Sequence, residues 1–181
     1  DKIVVCEASF NYKNNFCSVD ILEKDGNILN LYEVKGATKE KDVFLDDISY
    51  QYYVLNNLGY NVKKCFLVHL NDKYYRHGEL DLNKLFTRVD VTNSILKLQD
   101  KVEAKLKEIN EFMKNKDEVE DYIDIHCFKP YKCPFWNYCT RNLPKPNVFD
   151  IYRLSKPKMI LYYKNHLISY EDLKNEKLNS N

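Results

Sequence analysis

"CSVDILEKDGNILNLYEVK", residues 17–35, sets two alternating apolar segments on either side of an Asp-Gly pair. Asp-Gly between such runs is the strongest short signal for a hairpin. Residues 16–24 and 28–35 therefore read as strands joined over Asp25, Gly26 and Asn27. Upstream, "KIVVCEASF" (2–10) reads as a further strand and "NYKNN" (11–15) as its turn. The first 35 residues form a three-stranded meander on this reading.

The meander decides which acids can meet. With Asp25-Gly26 as the loop, Lys24 pairs with Asn27 and Asp20 lies opposite Leu31. Glu33 is then the diagonal neighbour of Asp20 on the same face, roughly 7–8 Å away at the backbone. Lys35 follows Glu33 by two and shares that face, while Tyr32 and Val34 take the other. With Lys13-Asn14 as the first loop, Glu7 lies directly opposite Asp20; with Asn14-Asn15 it is a diagonal neighbour instead. Any even loop keeps Glu7 and Asp20 together, and an odd loop or a bulge separates them. Clustered carboxylates repel. Two readings stand: a polar sheet face turned to water, or oxygen ligands around a hard cation such as Mg²⁺ or Mn²⁺.

Further along, "VFLDDISYQYYVLNNLG" (43–59) places Leu45, Ile48, Tyr52 and Leu55 at helical spacing, with Gly59 set to end the helix. Gln51 sits one residue off that stripe. Asp47, one turn earlier, either joins Gln51 or is a polar rim residue, and the rim is the favoured reading. "NVKKCFLVHL" (61–70) is a strand, and "YRHGELDLNKLF" (75–86) a loop with a short strand or turn. Asp90 or Thr92 caps a long helix whose stripe is Ile95, Leu98, Val102, Leu106, Ile109 and Met113, expected to pack in the core. "LPKPN" (143–147) reads as a linker. The tail "SYEDLKNEKL" opens with a capping box at Ser169 and Asp172 and reads as a short helix. The order β-β-β-α-β followed by helix specifies an α/β fold, a mixed sheet with helices packed on it.

Size and charge bound the function. A chain of 181 residues, with 28 basic and 27 acidic side chains, is one domain or one domain with an appendage. The balance argues against a wholly electrostatic nucleic-acid binder, though not against a local basic groove. No run reaches the roughly 18 apolar residues of a membrane span, and no signal peptide is expected. The expected location is cytoplasmic. The chain opens on Asp1 rather than methionine, as expected of a piece of a longer protein carrying further domains.

Six cysteines are present, and Cys127, Cys133 and Cys139 crowd into "IHCFKPYKCPFWNYC" (125–139). Clustered thiols in a cytosolic chain more often bind metal than form disulfides, and thiolates suit zinc or an iron–sulfur cluster. His126 is a further ligand candidate for zinc. Cys65 reads as a core residue, and His69, His77 and His166 carry no assigned role.

Asp20, then Glu33-Val34-Lys35 on the next strand, then Gln51 on a helix, resembles the PD-(D/E)XK nuclease superfamily, in its RecB-like branch. "CSVDILEKDG", "LYEVKGAT", "LDDISYQYYVLNNLGY" and "HCFKPYKCPFWNYC" together resemble a bacterial family that joins such a core to a C-terminal extension. The resemblance spans about residues 3–155. It implies a restriction-endonuclease-like mixed β-sheet flanked by helices, with a cysteine-containing C-terminal appendage. The corresponding segments are a nuclease-like core (1–125), a cysteine segment (126–146) and a helical extension (147–181). The implied activity is metal-dependent hydrolysis of phosphodiester bonds, of DNA, in repair or exonucleolytic processing.

By that resemblance Asp20 and Glu33 hold Mg²⁺ or Mn²⁺ with the carbonyl of Val34, and Glu7 matches the superfamily's first acid. Lys35 orients the attacking water, and Gln51 matches the glutamine of a Q-x-x-x-Y motif. Here the sequence departs from the pattern, with Leu55 at the tyrosine position and tyrosines at 52 and 53. Relatives with a similar tail hold an iron–sulfur cluster on three such cysteines and one from upstream, for which Cys6 or Cys17 could substitute. Two other readings remain: a nuclease-like module that binds nucleic acid or a partner without cutting, and a zinc or iron–sulfur module whose sheet is scaffold.

Overall fold

The computed structural model describes residues 1–118 and 123–174. The chain divides into two compact units, 1–116 and 117–181.

The first unit is built on five strands: β1 (Lys2–Tyr12), β2 (Asn15–Asp25), β3 (Ile28–Lys35), β4 (Val62–Leu70) and β5 (Phe86–Asp90), in the spatial order 1-2-3-4-5. All neighbours are antiparallel except β3 and β4, which run parallel. A parallel pair needs a crossover, and helix α1 (Asp42–Asn57) supplies it. The fold is therefore a mixed α/β sheet with helices against it.

Both hairpins close with two residues, which sets the register. Tyr12 pairs with Asn15 across Lys13-Asn14, both left-handed at φ 48° and 66°, as a type I′ turn requires. In the second hairpin Asp25 pairs with Ile28, so the connection is Gly26-Asn27 and not the expected Asp25-Gly26. Gly26 takes φ +57° at the first central position, where a II′-type turn demands glycine. This corrects the expected register by two residues. Leu22, not Asp20, faces Leu31, and Asp20 falls level with Glu33 one step beyond the paired ladder. An even shift leaves every side chain on its face.

The ladder of β2 with β3 stops at Ile21 and Tyr32. There the alternation of β2 also breaks. Cys17 and Val19 are buried two apart, and Leu22 three further on, against the strand period of two. Opposite the break, Glu7 of β1 holds φ 53°.

The core lies between the sheet and α1. Leu22, Leu29, Leu31, Cys65 and Leu67 pack against Phe44, Ile48, Val54 and Leu55, with Val91 and Ile95 beyond. The buried face of α1 is Phe44, Ile48, Ser49, Gln51, Val54 and Leu55. Leu45 and Tyr52, expected on the stripe, are only half-buried. Gln51 thus lies within the buried face. Gly59, at φ +86°, follows the helix end, and Tyr60 N–H donates back to the Leu55 carbonyl at 3.1 Å.

After β4 comes a single helical turn, α2 (Leu82–Leu85), capped by Asp81. The expected long helix is two, α3 (Thr92–Lys97) and α4 (Gln99–Phe112), broken at Leu98. Of its apolar stripe only Ile95 is buried. Ile109 and Met113 stand 47% and 73% exposed, because α4 meets α1 through its first turns. Gln99 Nε2 reaches the Ser49 carbonyl at 3.3 Å and Lys101 pairs with Asp46 at 2.7 Å.

The second unit holds α5 (Trp136–Cys139), α6 (Lys156–Lys164) and two short 3₁₀ turns at Ile125–Cys127 and Val148–Asp150. Ile123, Cys127 and Ile160 centre one apolar cluster, and Val148, Tyr162 and Leu173 another. The capping box expected at Ser169 and Asp172 forms: Ser169 N–H donates to Asp172 Oδ2 at 2.7 Å and Asp172 N–H to Ser169 Oγ at 3.2 Å. Residues 170–174 are turns, and the rest of the expected helix lies outside the described residues. Among the described residues no helix is long and apolar enough to cross a membrane.

Candidate active site

Glu33 follows Leu29 and Leu31 on the core face of β3 and is 4% exposed. The sheet's apolar alternation thus continues into a carboxylate at the strand end. A buried carboxylate is costly without partners, and three side chains supply them. Lys35 Nζ donates to Glu33 Oε1 at 2.5 Å and to Asp47 Oδ2 at 2.6 Å. Gln51 Nε2 donates to Glu33 Oε2 at 2.8 Å and to Asp47 Oδ1 at 3.3 Å. Glu33, Lys35, Asp47 and Gln51 close a ring of hydrogen bonds across β3 and α1. Two carboxylates and one ammonium leave it one negative charge in excess.

Burial raises the Glu33 pKa, against the lowering effect of its bonds from Lys35 and Gln51, and the Asp47 charge raises it further. Burial pulls Lys35 downward, but its hydrogen bonds to Asp47 and Glu33 and their charges prevail, so its pKa is raised. The ammonium is therefore fixed as a cation.

Gln51 faces carboxylates through its amide nitrogen, which fixes the amide's orientation because only the NH₂ end can donate to them. Its Oε1 is buried and has no hydrogen-bond partner. Such orphans are uncommon in folded proteins and mark sites of unmet demand.

Asp20 sits at the break in β2. Its Oδ2 accepts the Val34 N–H at 2.7 Å, where the β2–β3 ladder has run out. Asp20 is thus tied to the backbone between Glu33 and Lys35, outside the ring. Glu7 turns elsewhere and accepts from Ser18 Oγ at 3.3 Å. Asp47, expected on the rim, is a member of the ring. The legible signal was its place one turn before Gln51. His69 was also passed over. It is 8% exposed on β4, level with Lys35 in the parallel register, and its Nδ1 lies 2.9 Å from the Leu70 carbonyl.

The three clustered cysteines differ in setting. Cys127 is buried, Cys133 half-buried and Cys139 exposed. Cys127 and Cys133 lie in the apolar cluster around Ile123 and Ile160, and the Cys133 N–H donates to the Cys127 carbonyl at 2.9 Å. In the first unit, burial pushes the Cys17 thiol up to about 11 and the Cys65 thiol to about 12, which disfavours the thiolate a metal takes.

Among the described residues no three His, Cys, Asp or Glu side chains converge at metal-binding spacing. The strand-end site differs in donor chemistry. A buried glutamate and an unpartnered amide oxygen are hard oxygen donors, and Mg²⁺ is commonly held by one or two carboxylates with water completing its shell. Those donors are of the chemical kind such an ion takes.

No protein-family model matches the chain, and no curated protein matches it. Among solved structures, an alkaline exonuclease from Laribacter hongkongensis overlays with a TM-score of 0.35 at 17% identity, covering 62% of this chain and 61% of that one. The chain thus spans less than two thirds of that protein's length, and no family assignment follows from the overlay.

Proposed function

We propose that the first unit is a nuclease of the PD-(D/E)XK type, hydrolysing phosphodiester bonds of nucleic acid, of DNA in the first instance, with a divalent ion. One observation carries the reading: a buried acid, Glu33, is joined to the lysine two residues on and to Gln51 of the following helix, whose Oε1 has no partner. Such an arrangement is expensive in a core and is retained where it serves chemistry. A bound Mg²⁺ or Mn²⁺ supplies Lewis acidity and lowers the pKa of its water.

The chain's own residues do the rest. Glu33 would hold the ion, with Asp20 of the neighbouring strand and the Val34 carbonyl beside it. Lys35, kept protonated by Glu33 and Asp47, neutralises charge that develops on the scissile phosphate. Gln51 orients Glu33 and offers Oε1 to water or ion. Asp47 positions Lys35.

A second reading, a nuclease-like module that binds without cutting, is favoured by Asp20, whose carboxylate is engaged by the Val34 N–H. Hydrolysis of end-labelled DNA with Mn²⁺ by the parent chain and by Glu33→Gln separates the two. Cleavage lost in Glu33→Gln supports the nuclease. Absence of cleavage by the folded parent with either Mn²⁺ or Mg²⁺ supports the second reading.

A further inference from the structure

Residues 126–146 contain four basic side chains, Lys129, Lys132, Arg141 and Lys145, and no acidic one, in a chain with 28 basic and 27 acidic side chains in all. The same segment carries five aromatic rings: Phe128, Tyr131, Phe135, Trp136 and Tyr138. Three of them face solvent, Tyr131 at 64%, Phe135 at 68% and Tyr138 at 48% exposure. Large rings are normally withheld from water, and a group of them among cations marks a binding surface.

Beneath them Trp136 is held firmly. Trp136 packs on Phe128 and Phe149 with centroids 4.8 and 5.0 Å apart, which makes a stiff floor. A cavity of about 700 Å³ opens over it, lined by Lys132, Trp136, Arg141, Lys145, Phe149 and Asp150. Lys132 Nζ stands 5.6 Å from the centre of the Trp136 ring, while Arg141 covers the Tyr138 ring at 3.7 Å and both side chains are engaged by Glu118, at 3.9 and 2.8 Å. Neither Lys132 nor Lys145 has an ion-pair partner among the described residues. Asp150, the one acid in the lining, is occupied in accepting the Asn147 N–H at 2.9 Å.

We infer that this surface of the second unit binds single-stranded nucleic acid, with unpaired bases on Tyr131 and Phe135 and phosphates on Lys132 and Lys145. Flexible strands are held in this manner, by cations that track the backbone and rings that take any base. A regular duplex hides its base faces and gains nothing from the rings. The inference extends the proposed function by naming the form of its substrate, but its test needs no catalysis.

The test is fluorescence anisotropy of the full chain with a labelled 15-mer of thymidine, a uridine 15-mer and a 15-base-pair duplex, all in EDTA. Binding of either single strand above the duplex is expected. Phe135→Ala should weaken it about 5- to 150-fold, the range for loss of one stacked base. Lys132→Gln with Lys145→Gln should reduce the slope of log affinity against log salt by about 1.4, at roughly 0.7 per phosphate for single strands. Melting curves identify the folded variants, and Tyr131→Ala supplies a second exposed ring if Phe135→Ala unfolds. Equal binding of duplex and strand, no binding of either strand, or variants that bind as the parent does would each overturn the inference. Failure here alongside retained cleavage leaves the strand-end site standing. Binding as expected without any cleavage refutes that site and keeps this one.

Discussion

Asp47 of the first helix holds the Lys35 ammonium at 2.6 Å, while Glu33 holds it from the strand at 2.5 Å. The lysine is thus fixed between a buried acid and a half-exposed one. Outer partners of this kind are worth about 10- to 100-fold in activity or metal affinity at comparable sites. Asp47→Ala should therefore lower turnover by about 10- to 100-fold with little change in KM, and less than Lys35→Ala does. Steady-state cleavage kinetics of the two variants check this. Equal rates for Asp47→Ala and the parent would remove Asp47 from the site.

The orphaned Gln51 Oε1 predicts a response to metal that needs no substrate. A ligand that binds only the folded chain stabilises it by about 2.7 kcal/mol at a hundredfold excess over Kd. Mn²⁺ should therefore raise the melting temperature of the parent by several degrees over EDTA. Gln51→Met, which removes Oε1 and the donor to Glu33, should lose much of that rise. A shift unchanged in Gln51→Met would place the ion elsewhere.

A pH effect follows from Asp90. Its bonds from Lys64, then from the Thr92 hydroxyl and N–H, hold its carboxyl at about 2, below the ordinary 3.8. A depressed acid contributes stability above its unfolded value and loses it as pH falls through the folded one. Across the interval from 3.8 down to about 2, the parent should lose its advantage in melting temperature over Asp90→Asn. A constant difference between the two across that interval would contradict the assignment.

Ile48 lies fully buried beside Asp47 on α1. Ile48→Ala should cost about 2–5 kcal/mol, the range for truncation in a packed core. It should disturb the ring by loosening the helix that carries Asp47 and Gln51. Denaturant unfolding gives the energy, and a loss under 1 kcal/mol would mean the core does not close there as described.

Much of this was legible because it depends on local pattern. The strands of residues 2–35 show in their alternation, and of the two loops open for the first hairpin the fold takes Lys13-Asn14. The second turn was misplaced by one residue, since "DGN" offers two positions for a left-handed glycine and spacing alone does not choose. The parallel pairing of β3 with β4 joins residues 33 or 34 apart in sequence and brings His69 beside Lys35, which no periodicity reveals. Asp47 was legible as a neighbour of Gln51, but its bond to Lys35 depends on how α1 lies on the sheet. The apolar stripe of α4 misled, because a helical period shows which face is apolar and not what covers it.

The measurement that bears most directly on the account is Mn²⁺-dependent cleavage of labelled single- and double-stranded DNA by the parent, Asp20→Ala and Lys35→Ala, each shown to be folded. The account predicts cleavage by the parent that both variants lose. Cleavage that survives Lys35→Ala would contradict it, for the ring around that ammonium would then have no part in the reaction.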